Sequence, residues 1–278
     1  MNNAQNNRVK WFYTLASALM LALFLFPIYW MIATAVKPST EIMAYPPQFI
    51  PTRIDFSVWH DRIIGDPKIP RYFLNSAIIG VGTTLLTLAL AAPAAYALAH
   101  LPIRGKSLLL VLSLTSLMFP AIMLATPLFV IFSRLRLLDS YTGLILANTT
   151  LALPFALTVL RPFFLSIPTQ LTEAARIDGA SAWGAFMRII LPLATPGLFT
   201  TAVFSFLFGW SELVFALALA NQEQYRPVTA GLWHFIGSNV TQWNAVMAFS
   251  TLAMLPPLLV FLAAQRFIVS GLTAGAVK

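Results

Sequence analysis

The stretch "LTEAARIDGASAWGAFMRIILPLATPG", residues 171–197, mixes polar and apolar side chains in a chain that otherwise consists largely of apolar runs. At 100° per residue, a helix over 170–178 has one apolar side and one polar side. The apolar side comprises Leu171, Ala174, Ala175 and Ile177, and the polar side comprises Thr172, Glu173 and Arg176. Gly179 stands where a helix would end in a left-handed residue, and Ser181 can cap a following helix. The pattern therefore predicts two short helices joined at a glycine.

The second of these helices is predicted over 182–190. One face carries Trp183, Phe186, Met187, Ile189 and Ile190, and the other carries Gly184 and Arg188. Pro192 and Pro196 then end it. Both helices are too short to cross a bilayer. Two interpretations follow, since the pair could rest on lipid at the membrane surface or form a contact surface for a partner protein.

The composition indicates a membrane protein. The chain has 278 residues, of which 59% are hydrophobic and 9% are charged, whereas soluble domains carry about 25% charged residues. Six apolar runs of roughly 25 residues are each long enough to span a hydrocarbon core of about 30 Å. They cover 11–36, 73–99, 107–132, 141–166, 194–221 and 244–270. We expect an all-α membrane protein, a single domain over 1–278 with six transmembrane helices.

Several chemistries are excluded by the residues. The chain has no cysteine, and its three histidines are scattered, so no metal site is expected. The net charge of +8 comes from basic residues beside apolar runs, which favours lipid headgroups over nucleic acid as their partner. "RGKS" at 104–107 ends like a phosphate loop, but His100 stands where such a loop needs glycine. We therefore expect no ATP site in this chain.

The orientation in the membrane does not follow from the number of basic residues. With the N-terminus inside, nine of the seventeen would be cytoplasmic and eight would lie outside. Their distribution favours cytoplasmic N- and C-termini, because both ends and the 100–106 turn are basic without acids. The loop 37–72, in contrast, also holds four acidic residues.

Glu212 is the acidic residue placed well inside an apolar run. An intramembrane carboxylate costs about 2.5–3.5 kcal/mol on insertion, so it must face a cavity, a partner or the bundle interior. Together with Trp210 and Ser211 it offers the stacking and hydrogen bonding that a sugar needs. Structural pairing at a helix interface is the alternative, and the residues favour it slightly over a pathway role. Asn148, in the polar patch "NTT" of the fourth run, is a further pathway candidate, with interhelical hydrogen bonding as its alternative.

The loop "NQEQYRPVTAGLWHFIGSNVTQW", residues 221–243, has an apolar and aromatic centre. It predicts either a short helix at the membrane surface that reaches a partner, or a surface loop with buried aromatic residues.

The opening stretch resembles the EAA loop of bacterial ATP-binding-cassette (ABC) importer permeases, in which EAA precedes a glycine and then a hydrophobic–Leu–Pro ending. The matching residues are Glu173, Ala174, Ala175, Gly179, Leu191 and Pro192, and Asp178 and Ala180 fit the "DGA" variant of sugar importers. The segments "KPSTEI", "PPQFIP", "NSAIIG", "FGWSEL" and "GLTAGAVK" are similar to the smaller six-span subunit of the maltose-type carbohydrate branch.

This resemblance implies a permease subunit of the bacterial inner membrane, with residues 167–192 as a cytoplasmic coupling loop between spans four and five. The eight matching residues would contact a separate ATPase that holds ATP and Mg²⁺, and Glu173 could pair with a basic residue there. The implied partners are a second permease subunit, an ATPase dimer, an extracytoplasmic sugar-binding protein and membrane lipid. Such a contact transmits work only if it binds the ATPase differently in its two states.

Two other classes of function are weighed against this one. A stand-alone ion-coupled transporter would place several ionisable groups and repeated broken helices at the midplane, but a single glutamate and no repeat are found. An intramembrane enzyme would need paired acids, a metal motif or a nucleophile with its base, and the sequence shows none of these.

Overall fold

The computed structural model of this protein describes residues 2–237 and 241–274, and the regular elements of these residues are helices. In chain order the α-helices are α1 (Asn2–Ala35), α2 (Ser39–Ile42), α3 (Lys68–His100), α4 (Lys106–Ser116), α5 (Ala121–Arg134), α6 (Tyr141–Leu165), α7 (Gln170–Ile177), α8 (Ala182–Ala185), α9 (Leu191–Leu193), α10 (Thr195–Ser211), α11 (Val214–Leu219), α12 (Val228–Gly231) and α13 (Trp243–Ala274). Residues Trp59–Ile64 and Phe186–Ile190 form π-helical turns, and Glu223–Tyr225 and Leu232–Phe235 form 3-10 turns. Lys278 and residues 238–240 of the fifth loop, which the sequence predictions included, lie outside the described residues.

Four of the described helices are long and apolar enough to cross a membrane, and the number rises to six if each of two bent helix pairs is one span. The four are Lys10–Ala35, Lys68–His100, Tyr141–Leu165 and Trp243–Gln265. They overlap the first, second, fourth and sixth predicted runs. The all-helical membrane fold is thus confirmed.

The third predicted run, 107–132, is not one continuous helix. It is the pair α4 and α5, whose axes differ by 100°. Pro120 has no N–H to donate and adopts an extended backbone with ψ of 140°, so the helix ends before it and restarts at Ala121.

The fifth predicted run, 194–221, is also broken. The helical stretch Ala182–Leu193 bends by 79° into α10, which ends at Ser211 rather than at residue 221. Glu212 then has an extended backbone with ψ of 126°, and a separate short helix, α11, follows.

The described chain divides into two compact units. The first comprises Met1–Ile69 and Leu232–Met254, and the second comprises Pro70–Gly231 and Leu255–Lys278. In the first unit, the loop after α1 folds back on the end of that helix, because the indole Nε1 of Trp59 donates to the Ala35 carbonyl at 2.9 Å.

The second unit is built around the contact between α6 and α10. The ring of Phe155 on α6 lies 5.1 Å from that of Phe204 and 5.7 Å from that of Phe208, both on α10. A buried cluster contains Leu160 and Phe164 of α6 together with Phe186 and Ile190, which follow α8. These contacts place residues 182–193 against the core.

Candidate functional site

The break between the two short helices of the 167–192 segment is closed by backbone hydrogen bonds. Gly179 has a left-handed φ of +87° just after α7. Its N–H donates to the Arg176 carbonyl at 3.1 Å, and the Ala180 N–H donates to the Ala175 carbonyl at 2.9 Å. These two bonds satisfy carbonyls that the end of α7 would otherwise leave free.

The second helix begins with a side-chain cap. Ser181 has an extended backbone, and its Oγ accepts a hydrogen bond from the Gly184 N–H at 3.0 Å. From Ala182 the chain stays helical to Leu193, passing through the π-helical turn Phe186–Ile190. The predicted helix–glycine–helix arrangement is present, although the second helix runs past Pro192 instead of ending there.

The helical stretch 182–193 packs against the rest of the second unit through two buried side chains. Phe186 is 3% exposed and Ile190 is fully buried. The cluster that covers them also holds the α3 alanines Ala91, Ala92 and Ala95 and the α6 residues Ala156, Leu160 and Phe164. The ring of Tyr96 lies 5.0 Å from the ring of Phe186. Because these side chains pack directly on α3 and α6, a movement of the 182–193 helix would also displace those two helices.

The outer surface of the same segment carries large exposed apolar side chains. Ile177 is 86% exposed and Trp183 is 62% exposed, although both are apolar. Glu173 is exposed too, and no ion pair within the described residues includes it. Large exposed apolar side chains next to an unpaired charge are typical of a protein contact surface.

The eight predicted ATPase-contact residues of this segment differ in their solvent exposure. Ala175 is buried, Leu191 and Ala180 are half-buried, and the others are exposed, namely Glu173, Ala174, Asp178, Gly179 and Pro192. The eight residues are neighbours in sequence, within 173–192, and seven of them are at least partly exposed.

Trp210, a predicted pathway residue, is part of the core. Its ring is 4% exposed, stacks on Phe206 at 5.5 Å and meets Phe73 edge-on at 6.2 Å. Asn148 is 3% exposed, and its Nδ2 donates to the Leu144 carbonyl of its own helix at 2.8 Å.

Glu212 stabilises the break after α10. Its two carboxylate oxygens accept hydrogen bonds from the backbone N–H groups of Val214 at 2.8 Å and Phe215 at 2.6 Å. Its own carbonyl accepts from the Thr229 hydroxyl at 2.9 Å. The carboxylate therefore occupies the position of a helix cap for α11, which also places its negative charge at the positive end of that helix.

Ser211 and Glu212 line an open depression of about 380 Å³ together with three α10 side chains, Phe204, Leu207 and Phe208. Asn148 and Trp210 do not line it. The four pathway candidates are therefore divided between this depression and the packed interior.

A polar network that the sequence predictions missed holds the segment after α11 in place. The fully buried Asn75 of α3 donates through Nδ2 to the carbonyls of Gln224 at 3.0 Å and Arg226 at 2.8 Å. The Tyr141 hydroxyl donates to Asn75 Oδ1 at 2.7 Å. The Glu223 carboxylate accepts from the Tyr72 hydroxyl and pairs with Arg226. An asparagine at the start of an apolar run was the signal available.

The sequence matches a known family of membrane transport proteins. Residues 88–274 match the family described as the binding-protein-dependent transport system inner membrane component. The chain belongs to this family. The matched region includes residues 167–192 and the helix breaks at Gly179 and Glu212.

Curated relatives of this permease cover nearly its full length. The trehalose transport system permease protein SugB of Mycobacterium tuberculosis is 37% identical over 269 residues, which is 96% of this chain and 97% of that protein. The trehalose/maltose transport system permease protein MalG of Thermococcus litoralis is 34% identical over 267 residues, 95% of each chain. The resemblance to ABC importer permeases of the sugar branch is confirmed.

Solved structures show the same fold. A bacterial ABC transporter that imports the acidic polysaccharide alginate aligns with a TM-score of 0.80 at 22% identity, covering 96% of this chain and 99% of the other. A bacterial alginate ABC transporter in complex with an alginate pentasaccharide-bound periplasmic protein aligns with a TM-score of 0.65 at 17% identity, covering 94% and 95%.

Proposed function

We propose that this permease serves an ATP-driven carbohydrate importer and that residues 167–192 receive the movement of a separate ATPase dimer. The observation that carries the proposal is the construction of this segment, with an exposed face around Ile177 and Glu173 and a buried anchor at Phe186 and Ile190. A rigid element exposed on one side and packed on the other can carry a displacement from a partner into the bundle.

The carbohydrate substrate is supported by the names of relatives. Trehalose, maltose and diacetylchitobiose permeases, the last from Streptomyces coelicolor at 35% identity over 253 residues, match more than nine-tenths of this chain. The substrate class we propose is an oligosaccharide. ATP and Mg²⁺ would be held by the ATPase, and this chain would supply no catalytic group.

In this proposal each bent helix pair is one span, which gives six crossings with the termini and residues 167–192 on the cytoplasmic side. The segment 221–228 and the network around Asn75 then lie on the outer side. That surface would meet an extracytoplasmic sugar-binding protein. A complex with a periplasmic protein is known for the bacterial alginate ABC transporter, which has the same fold.

A second permease subunit is a further proposed partner. The most apolar 18-residue window of α1, within Lys10–Ala35, contains no buried residue, whereas 44% of the corresponding α6 window is buried. A hydrophobic window in which the described chain buries no residue has a free surface for another membrane protein as well as for lipid. The translocation pathway would form between the two subunits, with Ser211 and Glu212 at the depression on α10 and with Asn148 and Trp210 supporting it from inside.

The test of the coupling role compares two glycines that have similar left-handed backbone conformations. Gly179 and Gly105 have φ of +87° and +77°, and a Cβ at either position would meet no atom within 4 Å. A valine at either site is therefore strained to a similar degree, about 1–2 kcal/mol, without any clash. We expect Gly179→Val to reduce ATP hydrolysis stimulated by sugar-loaded binding protein at least tenfold, while Gly105→Val retains it.

The assay measures ATP hydrolysis by the complete transporter in membranes with a panel of sugars. Gly179→Asn is the matched control, because asparagine tolerates the left-handed conformation and should preserve stimulation. Equal loss in Gly105→Val and Gly179→Val would reject the coupling role and leave only a general effect of strain.

A further inference from the structure

The loop that follows α1 in the first unit is fixed to two aromatic residues near the end of that helix. The Tyr29 hydroxyl donates to the Phe49 carbonyl at 2.8 Å. The ring of Phe49 lies 5.6 Å from the ring of Trp30 and meets it edge-on. The Lys37 Nζ donates to the Gln48 carbonyl at 2.5 Å and lies 4.2 Å from the centre of the Trp30 ring. Residues 48 and 49 are therefore held at the level of Tyr29 and Trp30.

The depth of these residues in the membrane follows from the length of the α1 span. The apolar part of α1 begins with Trp11, Phe12 and Tyr13, and from Trp11 to Trp30 the helix rises by about 28 Å. The hydrocarbon core of a bilayer is about 30 Å thick, and tryptophan and tyrosine are enriched at both of its edges. Trp11 and Trp30 thus mark the two edges, and Phe49 lies at the edge farther from the N-terminus.

The same loop has its polar groups inside and its apolar groups outside. Lys37 is buried, and the half-buried Glu41 carboxylate accepts hydrogen bonds from the backbone N–H and the hydroxyl of Thr52. Tyr45, in contrast, is 95% exposed and Ile50 is 74% exposed. Lysine and glutamate are mostly exposed in water, whereas in a bilayer the polar groups of a chain have to be satisfied internally. The distribution in this loop is the one that suits lipid.

We propose that residues 43–50 form a membrane anchor that lies among the headgroups and upper acyl chains of one leaflet, beside the end of α1. Its lipid-contacting side chains are Met43, Tyr45, Phe49 and Ile50, all of which are exposed. This apolar surface is continuous with that of α1, whose most apolar window contains no buried residue. The continuity and the depth together favour the bilayer as the surface that covers the loop. The anchor would hold the first loop and the end of α1 at the membrane surface.

Site-directed spin labelling tests the anchor, because the chain has no cysteine and labels can be placed one at a time. The complete transporter, with cysteine-free partner subunits and a nitroxide at Ile50→Cys, is placed in vesicles of phosphatidylcholine. Power saturation compares the collision rates of the nitroxide with oxygen, which concentrates in the bilayer, and with a water-soluble nickel chelate. Leu19→Cys, exposed near the middle of α1, is the control for lipid, and Arg53→Cys, exposed and charged in the wild type, is the control for water.

We expect the Ile50 label to collide more often with oxygen than with the nickel chelate, as the Leu19 label does, and the Arg53 label to show the reverse order. A preference for the nickel chelate at Ile50 would mean that the loop stands in water. Low collision rates with both reagents would mean that another subunit covers it. Either of these two results would overturn the proposal. The readout does not involve transport or ATP hydrolysis, so it is independent of the coupling role.

A second pair of variants tests the attachment of the loop to α1. Lys37→Met removes the hydrogen bond to Gln48 and the charge above the ring of Trp30, while it keeps a long unbranched side chain. We expect it to lower the oxygen preference of the Ile50 label, because the loop is then less firmly held at the depth of Trp30. Lys68→Met removes an exposed amino group elsewhere in the first unit and should leave the label unchanged. Equal oxygen preference in Lys37→Met and the wild type would show that α1 does not set the depth of the loop and would contradict the anchor.

Discussion

Two helix breaks of the second unit, at Gly179 and at Glu212, have their free backbone groups satisfied in opposite ways. At Gly179 the backbone satisfies itself, through the Gly179 and Ala180 N–H groups bonded to carbonyls of α7. At Glu212 a charged side chain closes the break by accepting from Val214 and Phe215. The first break therefore needs no side chain of its own, and the second fails without one.

This difference assigns different roles to the two carboxylates that the sequence brings to attention. Glu212 has its hydrogen bonds filled within the chain, while Glu173 makes no ion pair in the described part of it. A charge that no described residue of the chain neutralises is available to a partner. Four substitutions in and around these two helix breaks test how each is stabilised, and their expected effects on stability decrease from the first to the last.

Phe186→Ala should cause the largest loss. Removing a buried aromatic side chain leaves a cavity, with a cost of about 3–5 kcal/mol in the free energy of unfolding. Denaturant unfolding of the purified protein in detergent measures it. Leu193→Ala on the same helical stretch is the control, because Leu193 is 53% exposed and should change the free energy by less than about 0.5 kcal/mol. Equal losses in both variants would show that Phe186 is not the anchor.

Glu212→Ala comes next. It leaves the Val214 and Phe215 N–H groups without an acceptor, and we expect a loss of about 2–4 kcal/mol. Glu212→Gln keeps one carbonyl oxygen and should lose about half as much. Thermal unfolding of the two variants, compared with sugar uptake, separates the roles. Full stability with abolished uptake would mean that Glu212 acts on the substrate and not as a cap.

Ser181→Ala removes the cap of the helix that begins at Ala182 and should cost about 1 kcal/mol in the free energy of unfolding. Ser181→Asp provides a carboxylate oxygen in the same place and should restore the stability. Hydrogen exchange of the Gly184 amide is the direct measurement, since this N–H loses its acceptor only in the alanine variant. Unchanged exchange in Ser181→Ala would contradict the assignment of the cap.

Glu173→Lys should have the smallest effect on stability, below about 0.5 kcal/mol, because the residue is exposed and makes no ion pair within the described part of the chain. It should nevertheless abolish ATP hydrolysis stimulated by the binding protein. Glu173→Gln separates the loss of charge from its reversal. Normal transport and stimulation in Glu173→Lys would rule out a charge pair with the ATPase.

The success of the sequence predictions depended on how local the controlling interactions were. The end of α7 at Gly179 and the cap at Ser181 arise from residues within five positions of one another, and both were found. The third and fifth predicted runs contain breaks at Pro120 and Glu212 whose angles do not follow from their hydrophobicity, because hydrophobicity sets the length of an apolar run but does not fix the helix direction within it. The environment of Trp210 also depends on Phe73, more than a hundred residues away.

The amino-acid sequence by itself determined the membrane class, the four long helices and the two short helices joined at Gly179. These follow from hydrophobicity, from helical periodicity and from the backbone preferences of glycine and serine, all of which act over short distances. Tertiary structure alone decided that Phe186 and Ile190 anchor the 182–193 helix in the core and that Trp210 is buried. It also decided that α3 and the 182–193 helix line an apolar groove. Packing joins residues that are remote in the chain, so their contacts exist only once the helices have come together.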